Sequence, residues 1–572
     1  MDAPLAVSTG LKETGVVVAA LAAAAALLLP RPAQRAAGML VALVLVPVLV
    51  LGEVWDSPQF RPVRDHAPVA LAAAVVGVVV IGLLARLLLR RPDAFPLLAV
   101  AALPFRIPLN VGGETANLLV PLYAVVAAGV IAYAWERLRP DQSETGLRLP
   151  RSGSAPETGL RPPRSGSAPE TGLRPSLSGS ALAPRIAPRD RRGGDVELAL
   201  LIAVVLYSVQ AAWSSDFETA LKNVAFFYVP FALLFRLLAA TNWTRRLAIN
   251  CLLVATALAL AFVAIGFVEY ATRHLLWNPK VIASNQFESY FRVNSLFFDP
   301  NIYGRFLAVV MACLGAVQLW ATSRRTLAGV TAVLGVLLAG LVLTFSQTSL
   351  AALLVACVVL AVLRWPPRPV LAVTAGVAVV ALVAALAFPS VTKVNLGSGR
   401  SLTKATSGRT ELIKGGVRMF LDRPILGYGS GSFAEQFRRR EKTTDARAAS
   451  ASHTIPVTVA AEQGIVGLAS YLFVLLTAFA LVWQGLGKLR SGEPPPAELI
   501  ARGGIAAAFT ALVVHTMAYA AFLEDPLTWT LLGAAIGLRF SSAAARPARA
   551  AARAPAVASP VRSAHAAEPA ES

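Results

Sequence analysis

The residues best suited to chemistry lie just before a long apolar run near the C-terminal end of the chain. They read Ser452-His453-Thr454-Ile455-Pro456, and Gly464 and Gly467 follow inside the run. Proline suits the first turn of a helix, because its missing N–H would have no partner there. An imidazole at the mouth of a membrane helix could act as a general base. If the helix extends back to His453, the histidine and both glycines share one face. A lone histidine at a helix start is more often a structural cap.

A second polar group precedes another apolar run. It reads Arg292-Val-Asn-Ser-Leu-Phe-Phe-Asp299-Pro300-Asn301. Asp299 before Pro300 is a good helix N-cap, and this structural role is the alternative to substrate binding for Asp299 and Asn301. Arg292 lies between aromatic residues close to the membrane, where a guanidinium could hold phosphate.

A third group begins at Gly408-Arg409. Residues 409–421 have the pattern of an amphipathic helix, with one apolar face, and Arg409 heads that face whereas Arg418 points about 180° away. The apolar face consists of Leu412, Ile413, Gly416 and Phe420. A glycine-rich loop follows, Pro424-Ile-Leu-Gly-Tyr-Gly-Ser-Gly431. The pattern therefore aims Arg409 inward and Arg418 at solvent.

In this order the three groups resemble the O-antigen ligase and polymerase family. Its signature H-[N/S/Q]-x9-G-x2-[G/T/Y], its G-R followed by P-x-x-G-x-G, and its R-x-x-G-x-x-x-x-P-N pattern correspond to 453–467, 408–429 and 292–301. Thr454 departs from the first pattern, and Ser295 replaces the usual glycine of the last. The resemblance covers about residues 200 to 480.

A turn between two further runs, Thr344-Phe345-Ser346-Gln347, also falls within the resemblance. Many family members carry Ser-Arg there, and Gln347 takes the place of that arginine. One phosphate contact implied by the family is therefore missing or is made by another residue.

The resemblance implies a membrane glycosyltransferase that moves a glycan from a polyprenyl-diphosphate carrier to an acceptor hydroxyl. It would work on the outer face of a bacterial cytoplasmic membrane, in the synthesis of surface polysaccharide such as lipopolysaccharide. His453 would be the base and Arg292 and Arg409 would hold the diphosphate. The substrate-binding residues would be Asp299, Asn301, Ser346, Gln347 and Thr454. The acids of 389–452 form no D-x-D-type cluster, so neither a metal ion nor another cofactor is expected.

The composition restricts the fold class. The chain of 572 residues is 56% hydrophobic and only 15% charged, whereas soluble proteins average about a quarter charged residues. We expect an all-α polytopic membrane bundle with about 14–15 spanning helices of about 20 residues each. The predicted spans are 15–30, 36–53, 67–89, 116–135, 196–213, 222–240, 246–270, 302–322, 326–346, 349–364, 368–388, 455–483, 503–522 and 526–541, and 94–108 is doubtful.

Clusters of Lys and Arg predict the orientation, because short cytoplasmic loops collect them. If the doubtful span is counted, seven such pairs fall on one side: Arg31 and Arg35, Arg90 and Arg91, Arg137 and Arg139, Arg245 and Arg246, Arg324 and Arg325, Arg364 and Arg368, Lys488 and Arg490. Segment 389–452 then lies outside, although it carries twelve Lys and Arg against five Asp and Glu. It is either a soluble basic loop or a site for an anionic substrate.

These patterns divide the chain into six parts. They are N-terminal membrane helices (1–139), a disordered cytoplasmic linker (140–195), further membrane helices with an outside loop at 271–301 (196–388), a large extracytoplasmic loop with short helices (389–452), C-terminal membrane helices (453–541) and a disordered cytoplasmic tail (542–572). The linker holds a 13-residue repeat rich in Pro, Gly, Ser and Arg, a composition that cannot bury enough apolar surface to fold.

Two alternatives to a ligase stay open at this point. A polymerase of the same family would share the machinery and differ only in its acceptor, a growing lipid-linked glycan. A transporter of lipid-linked glycans would need ionisable groups near the middle of spans, where only Glu462 and His515 lie, and it would work without His453 as a base. Both alternatives involve membrane lipids and glycans, and nothing predicts a nucleic-acid partner.

Overall fold

The structure is a computed structural model of the whole chain. It describes residues 9–54, 64–111, 114–139, 191–276, 291–387, 409–441, 454–490, 494–519 and 521–553. Residues 140–190 of the predicted linker and the residues from Ser452 to His453 lie outside these ranges. The last five residues of the predicted linker, 191–195, are helical, because a helix begins at Arg191.

The described residues are mainly helical. In the N-terminal half the helices are α1 (Thr9–Leu28), α2 (Pro32–Val54), α3 (Ala67–Arg90), α4 (Ala94–Ala102), α5 (Val120–Leu138), α6 (Arg191–Gln210), α7 (Phe217–Asn223), α8 (Val229–Ala240) and α9 (Arg245–Thr272). In the C-terminal half they are α10 (Pro300–Trp320), α11 (Arg324–Leu343), α12 (Gln347–Arg364), α13 (Pro367–Ala387), α14 (Arg409–Asp422), α15 (Phe433–Glu441), α16 (Ile455–Trp483), α17 (Ala497–Thr516) and α18 (Pro526–Arg553).

The predicted class, an all-α polytopic membrane protein, is confirmed. In the described part of the chain, ten helical segments are long and apolar enough to cross a bilayer. A helix satisfies all of its interior backbone hydrogen bonds within one segment, which is what the water-free core of a bilayer requires. The total of 14–15 spans stays a prediction.

The doubtful run at 94–108 is not a continuous spanning helix. Helix α4 has nine residues, about 14 Å of helix, which is half of what a bilayer needs. A two-stranded antiparallel hairpin follows, formed by strands β1 (Ile107–Val111) and β2 (Glu114–Leu118). The chain thus contains a small element of sheet that the sequence did not predict.

Three helices that position the candidate site pack closely together: α10, α12 and α17. Small residues make this possible, as expected where helices associate in a membrane. A Cβ at Gly304 would lie 2.6 Å from the hydroxyl of Ser349, and a Cβ at Gly504 would lie 3.2 Å from the backbone of Cys313. The start of α10 is therefore held against the start of α12.

The predicted outside loop contains two described helices, α14 and α15. The predicted inward face of α14 is present: Leu412 and Gly416 are buried, Met419 joins them, and Ile413 and Phe420 are half-buried. At the other end of the chain α18 continues to Arg553. It thus extends into the segment predicted as a disordered tail, because the Ala-rich and Arg-rich sequence there has high helix propensity.

Candidate active site

The start of α10 is built around Asp299. Its carboxylate accepts a hydrogen bond from the backbone N–H of Asn301 at 2.6 Å, so the N-cap role considered from the sequence is the one that the structure shows. Tyr519 also hydrogen-bonds to this carboxylate. Burial raises the pKa of Tyr519 well above its ordinary value, so its phenol keeps its proton and donates to Asp299.

A group of hydroxyls joins α10, α12 and α17. The Ser346 hydroxyl donates to the side-chain oxygen of Asn301 at 2.7 Å and lies 2.8 Å from the hydroxyl of Ser349. Nε2 of His515 is 3.2 Å from the Ser349 hydroxyl and 3.3 Å from that of Thr348. His515 is fully buried, and these contacts agree with the structural role expected for it.

Arg292 reaches the same place through the turn between α11 and α12. Its Nε donates to the carbonyl of Thr344 at 3.0 Å, and the Thr344 hydroxyl accepts from the backbone N–H of Ser346 at 3.1 Å. Arg292 is therefore two hydrogen bonds from Ser346 and three from Asn301. This chain of bonds connects residues that are about fifty positions apart in the sequence.

The loop that carries Arg292 is fastened by a buried glutamate. The carboxylate of Glu269, near the end of α9, accepts from the backbone N–H of Ser295 at 2.8 Å and from that of Asn294 at 3.2 Å. Ser295 has a φ of +51°, the left-handed region that favours glycine. The family pattern has glycine at this position, and the positive φ of Ser295 explains why glycine is favoured there.

Helix α16 is broken at Gly464, which has a φ of 63° and a ψ of −161°. The glycine-rich loop enters the break. The N–H of Ile465 donates to the carbonyl of Pro424 at 2.7 Å, and the N–H of Gly429 donates to the carbonyl of Glu462 at 2.8 Å. Backbone groups that the kink leaves without helical partners are thereby satisfied by the loop. The two glycine motifs are the two halves of one junction.

The carboxylate of Glu462 fixes the far side of this loop. It accepts from the N–H of Gly431 at 2.9 Å and from the N–H of Phe433 at 3.1 Å. Phe433 begins α15, so a carboxylate lies where the positive end of that helix dipole favours one. The described contacts of Glu462 therefore explain it as a loop anchor.

These observations correct the expected geometry of the histidine motif. Helix α16 begins at Ile455 and is kinked at Gly464, so Gly464 and Gly467 do not share one regular helical face, and His453 lies outside the described residues. Gly464 admits the loop rather than a neighbouring helix: a Cβ there would lie 2.2 Å from the carbonyl oxygen of Ile425.

The segment between α17 and α18 completes the candidate site. Arg305 forms a buried ion pair with Asp525 at 2.7 Å and also donates to the carbonyl of Ala521. Next to this pair, Glu524 hydrogen-bonds with Tyr228, and burial raises the pKa of Glu524 to about 7. Glu524 and Glu462 both line a cavity of about 60 Å³, which has room for about two water molecules.

The comparisons with known proteins bear on the loop and its two flanking regions. The family model described as O-antigen ligase matches residues 330–472. The match begins within α11 and ends near the middle of α16. No curated protein matches the chain. We call residues 330–472 the O-antigen ligase domain, after the family model that they match. The resemblance stated from the motifs is thereby confirmed.

The O-antigen ligase domain contains some of the predicted site residues and is contacted by others. Ser346, Gln347 and Thr454 lie within it, and Gln347 is exposed in the first turn of α12. The Thr454 hydroxyl donates to the carbonyl of Met517 at 3.2 Å, which lies between His515 and Tyr519 in the sequence.

Arg292, Asp299 and Asn301 precede the matched domain, and the contacts above bring them to it. His453 and the side chain of Arg409 lie outside what the structure describes, so the catalytic roles implied for them stay predictions. Among the described residues, no group of three His, Cys, Asp or Glu side chains could hold a metal ion.

Several residues of the site were missed from the sequence: Arg305, Asp525, Tyr519 and Glu269. Three of them carried a signal. Arg305 and Glu269 are ionisable residues inside apolar runs, and such residues are rare there unless paired. Asp525 before Pro526 has the same N-cap pattern as Asp299 before Pro300, and its carboxylate accepts from the N–H of Leu527 at 2.9 Å. Tyr519 carried no signal in the sequence.

Proposed function

We propose that this protein is an O-antigen ligase-like glycosyltransferase. It transfers a glycan from a polyprenyl-diphosphate carrier to an acceptor hydroxyl, without a metal ion, at the outer face of a bacterial cytoplasmic membrane. The observation that carries the proposal is the hydrogen-bonded chain from Arg292 through Thr344 and Ser346 to Asn301, at the edge of the O-antigen ligase domain.

The chemistry needs one base and fixed positive charge. His453 takes the proton of the acceptor hydroxyl, the hydroxyl oxygen forms a bond to the anomeric carbon, and the bond from that carbon to the diphosphate breaks. The diphosphate leaves with the bonding electrons, and Arg292 and Arg409 stabilise its charge. Arginine suits this task because its planar fork can make two hydrogen bonds to one phosphate.

The contacts of Arg292 support this assignment. Its Nε is used by the Thr344 carbonyl, which fixes the direction of the side chain. Preorganised donors of this kind stabilise developing charge because they need no rearrangement during the reaction. Asp299, Asn301, Ser346, Gln347 and Thr454 would contact the donor or acceptor around this position.

The test is transfer by purified, reconstituted protein from a polyprenyl-diphosphate glycan to candidate acceptors. His453→Ala should lower turnover by about 10²–10⁴-fold, the usual contribution of a general base, while donor binding is retained. Arg292→Ala and Arg409→Ala should weaken donor binding as well, and lysine should restore only part of it.

The matched control is Arg439→Ala, because Arg439 is exposed and paired with Glu435 on α15. Full turnover in His453→Ala would contradict the assignment of the base. Transport of labelled lipid by the same variant, without transfer, would favour a transporter. Products that lengthen the lipid-linked glycan itself would make the protein a polymerase.

A further inference from the structure

Four large apolar side chains are exposed at the end of α14 and in the turn after it. Val417, Leu421, Ile425 and Leu426 are 43%, 67%, 65% and 49% exposed, and we call them the loop patch. The opposite face of α14 is already buried against α16. A second apolar surface on a loop in water is unfavourable, because it exposes apolar side chains to solvent. Exposed patches of this kind mark contact with a partner or a membrane.

The loop patch is continuous with the lipid-facing side of α16. The backbone of Ile465 bonds to Pro424, and that of Val466 bonds to Ile425. Ile465 is 50% exposed, and further along α16 Leu472 and Leu476 are 47% and 69% exposed. At 100° per residue these three side chains share one face of the helix. The exposed apolar surface therefore runs from the spanning helix onto the loop without a break.

The depth of the junction can be estimated from the length of α16. From Ile465 to its last residue, Trp483, the helix is about 28 Å long at about 1.5 Å per residue. This matches the hydrocarbon thickness of about 30 Å. Ile465 then lies at the edge of the hydrocarbon, and the residues from Ile455 to Gly464 rise above it. The loop patch, bonded to Ile465 and Val466, lies at the same level.

Charged residues are ordered around α14 as they are in helices that lie on a membrane. Measured from Leu421, Lys414 and Arg418 are about 20° and 60° around the helix, and Glu411 and Asp422 are about 80° and 100° around. All four are exposed. Basic side chains thus separate the apolar sector from the acidic one. Long basic side chains in this position keep their stems in apolar surroundings and their charges among phosphates.

We propose that α14 and the turn to Leu426 are seated in the lipid leaflet on the side where α16 begins. Leu421 and Ile425 enter the acyl chains, and Lys414 and Arg418 contact lipid phosphates. The membrane surface would then fix the loop that carries Arg409. This seating follows from apolar continuity, depth and charge order, and does not depend on glycosyl transfer.

The test uses the full-length chain with Cys251, Cys313 and Cys357 changed to Ala, reconstituted in nanodiscs that hold one copy each. An environment-sensitive fluorophore is attached at Leu421→Cys, at Ile425→Cys and at the control Arg439→Cys, whose side chain is 61% exposed. We expect blue-shifted emission and quenching by spin-labelled lipid at 421 and 425. The probe at 439 should emit as in water and be quenched by iodide.

Equal iodide quenching at 421 and 439 would overturn the proposal. Blue-shifted emission without lipid quenching, together with disulfide-linked dimers of Leu421→Cys in liposomes, would identify a second copy as the occupant and would also overturn it. If the label at 421 prevents folding, Leu426→Cys gives the same readout. Charge reversal at Lys414 and Arg418 should reduce lipid quenching more in phosphatidylglycerol than in phosphatidylcholine.

Discussion

At the scale of single residues, Ser295 shows how a departure from a motif can be read. Its φ of +51° costs a non-glycine residue about 1–2 kcal/mol. Its hydroxyl is buried and has no hydrogen-bond partner among the described residues, which adds a desolvation penalty. Glu269 holds the backbone in this conformation from the adjacent helix, so the chain tolerates serine at a cost in stability.

We therefore predict that Ser295→Gly stabilises the protein by about 1 kcal/mol. Thermal unfolding in detergent measures this as a higher midpoint. Ser323→Gly is the control, because Ser323 has a φ of −78° and makes no side-chain cap, and there glycine should lower the midpoint slightly. A lower midpoint for Ser295→Gly would show that the serine hydroxyl has a partner that stabilises it.

Glu524 gives a prediction with a definite sign. Burial raises its pKa in the folded protein to about 7, whereas the unfolded chain has the ordinary value of about 4.3. Between these values the folded state holds a proton that the unfolded state releases, so stability decreases as pH rises through this interval.

The thermal midpoint of the wild type should therefore fall between about pH 5 and about pH 7 more steeply than that of Glu524→Gln, which has no proton to release. Glu411→Gln, at an exposed position, is the control and should follow the wild type. Parallel curves for the wild type and Glu524→Gln would mean that the carboxyl is ionised in the folded protein.

At the scale of elements, the junction between the glycine-rich loop and α16 explains why two motifs occur together. Gly427 and Gly464 both have positive φ, and a Cβ on either would lie 2.2 Å from a carbonyl oxygen of the other segment. Neither contact can be relieved by a side-chain rotation, since backbone meets backbone. The two segments must therefore change together.

Gly464→Ala and Gly427→Ala should each destabilise the protein by more than about 1 kcal/mol. Alanine is strained at positive φ, and its Cβ would clash with the carbonyl oxygen of the other segment. Gly335→Ala in α11 is the control: a Cβ there has nothing within 4 Å, and alanine favours the helix. Thermal midpoints of the variants would measure the loss of stability, and the rate of limited proteolysis in the loop would show whether the loop has come away from α16. Equal midpoints for Gly464→Ala and Gly335→Ala would mean that α16 is not kinked in solution.

This junction also shows how far the sequence predicts the fold. Apolar runs predicted where most helices lie, because length and hydropathy suffice for a spanning helix, and the ends of the long run 455–483 were correct. The amphipathic face of α14 followed from the same periodicity. The kink did not, because the positive φ at Gly464 goes with contacts to Pro424 and Ile425, about forty residues earlier in the chain. Among the site residues, Asp299 was predictable as a cap, but the contact of Arg292 with Thr344 is tertiary and leaves no local pattern.

At the scale of the whole molecule, basic residues and the candidate site lie at opposite ends of α10. Its first residue, Pro300, is beside Asp299 and Asn301. Its last residue, Trp320, donates from Nε1 to the carbonyl of Leu489 at 3.4 Å, between Lys488 and Arg490. The helix of 21 residues is about 30 Å long, so the two ends are separated by about the thickness of a bilayer.

Because Lys and Arg collect on the cytoplasmic side, we predict that the Leu489 end of α10 is cytoplasmic and that the loop with α14 and α15 is outside. Thr443→Cys, in a background with Cys251, Cys313 and Cys357 changed to Ala, should react with a membrane-impermeant maleimide in intact spheroplasts. Ala168→Cys, in the predicted cytoplasmic linker, should react only after permeabilisation.

Labelling of both variants in intact spheroplasts would place the linker outside, and labelling of Ala168→Cys alone would mean that the orientation is the reverse of the predicted one. An inverted protein would have its candidate site facing the cytoplasm, where a polyprenyl-linked glycan that has already crossed the membrane could not reach Arg292.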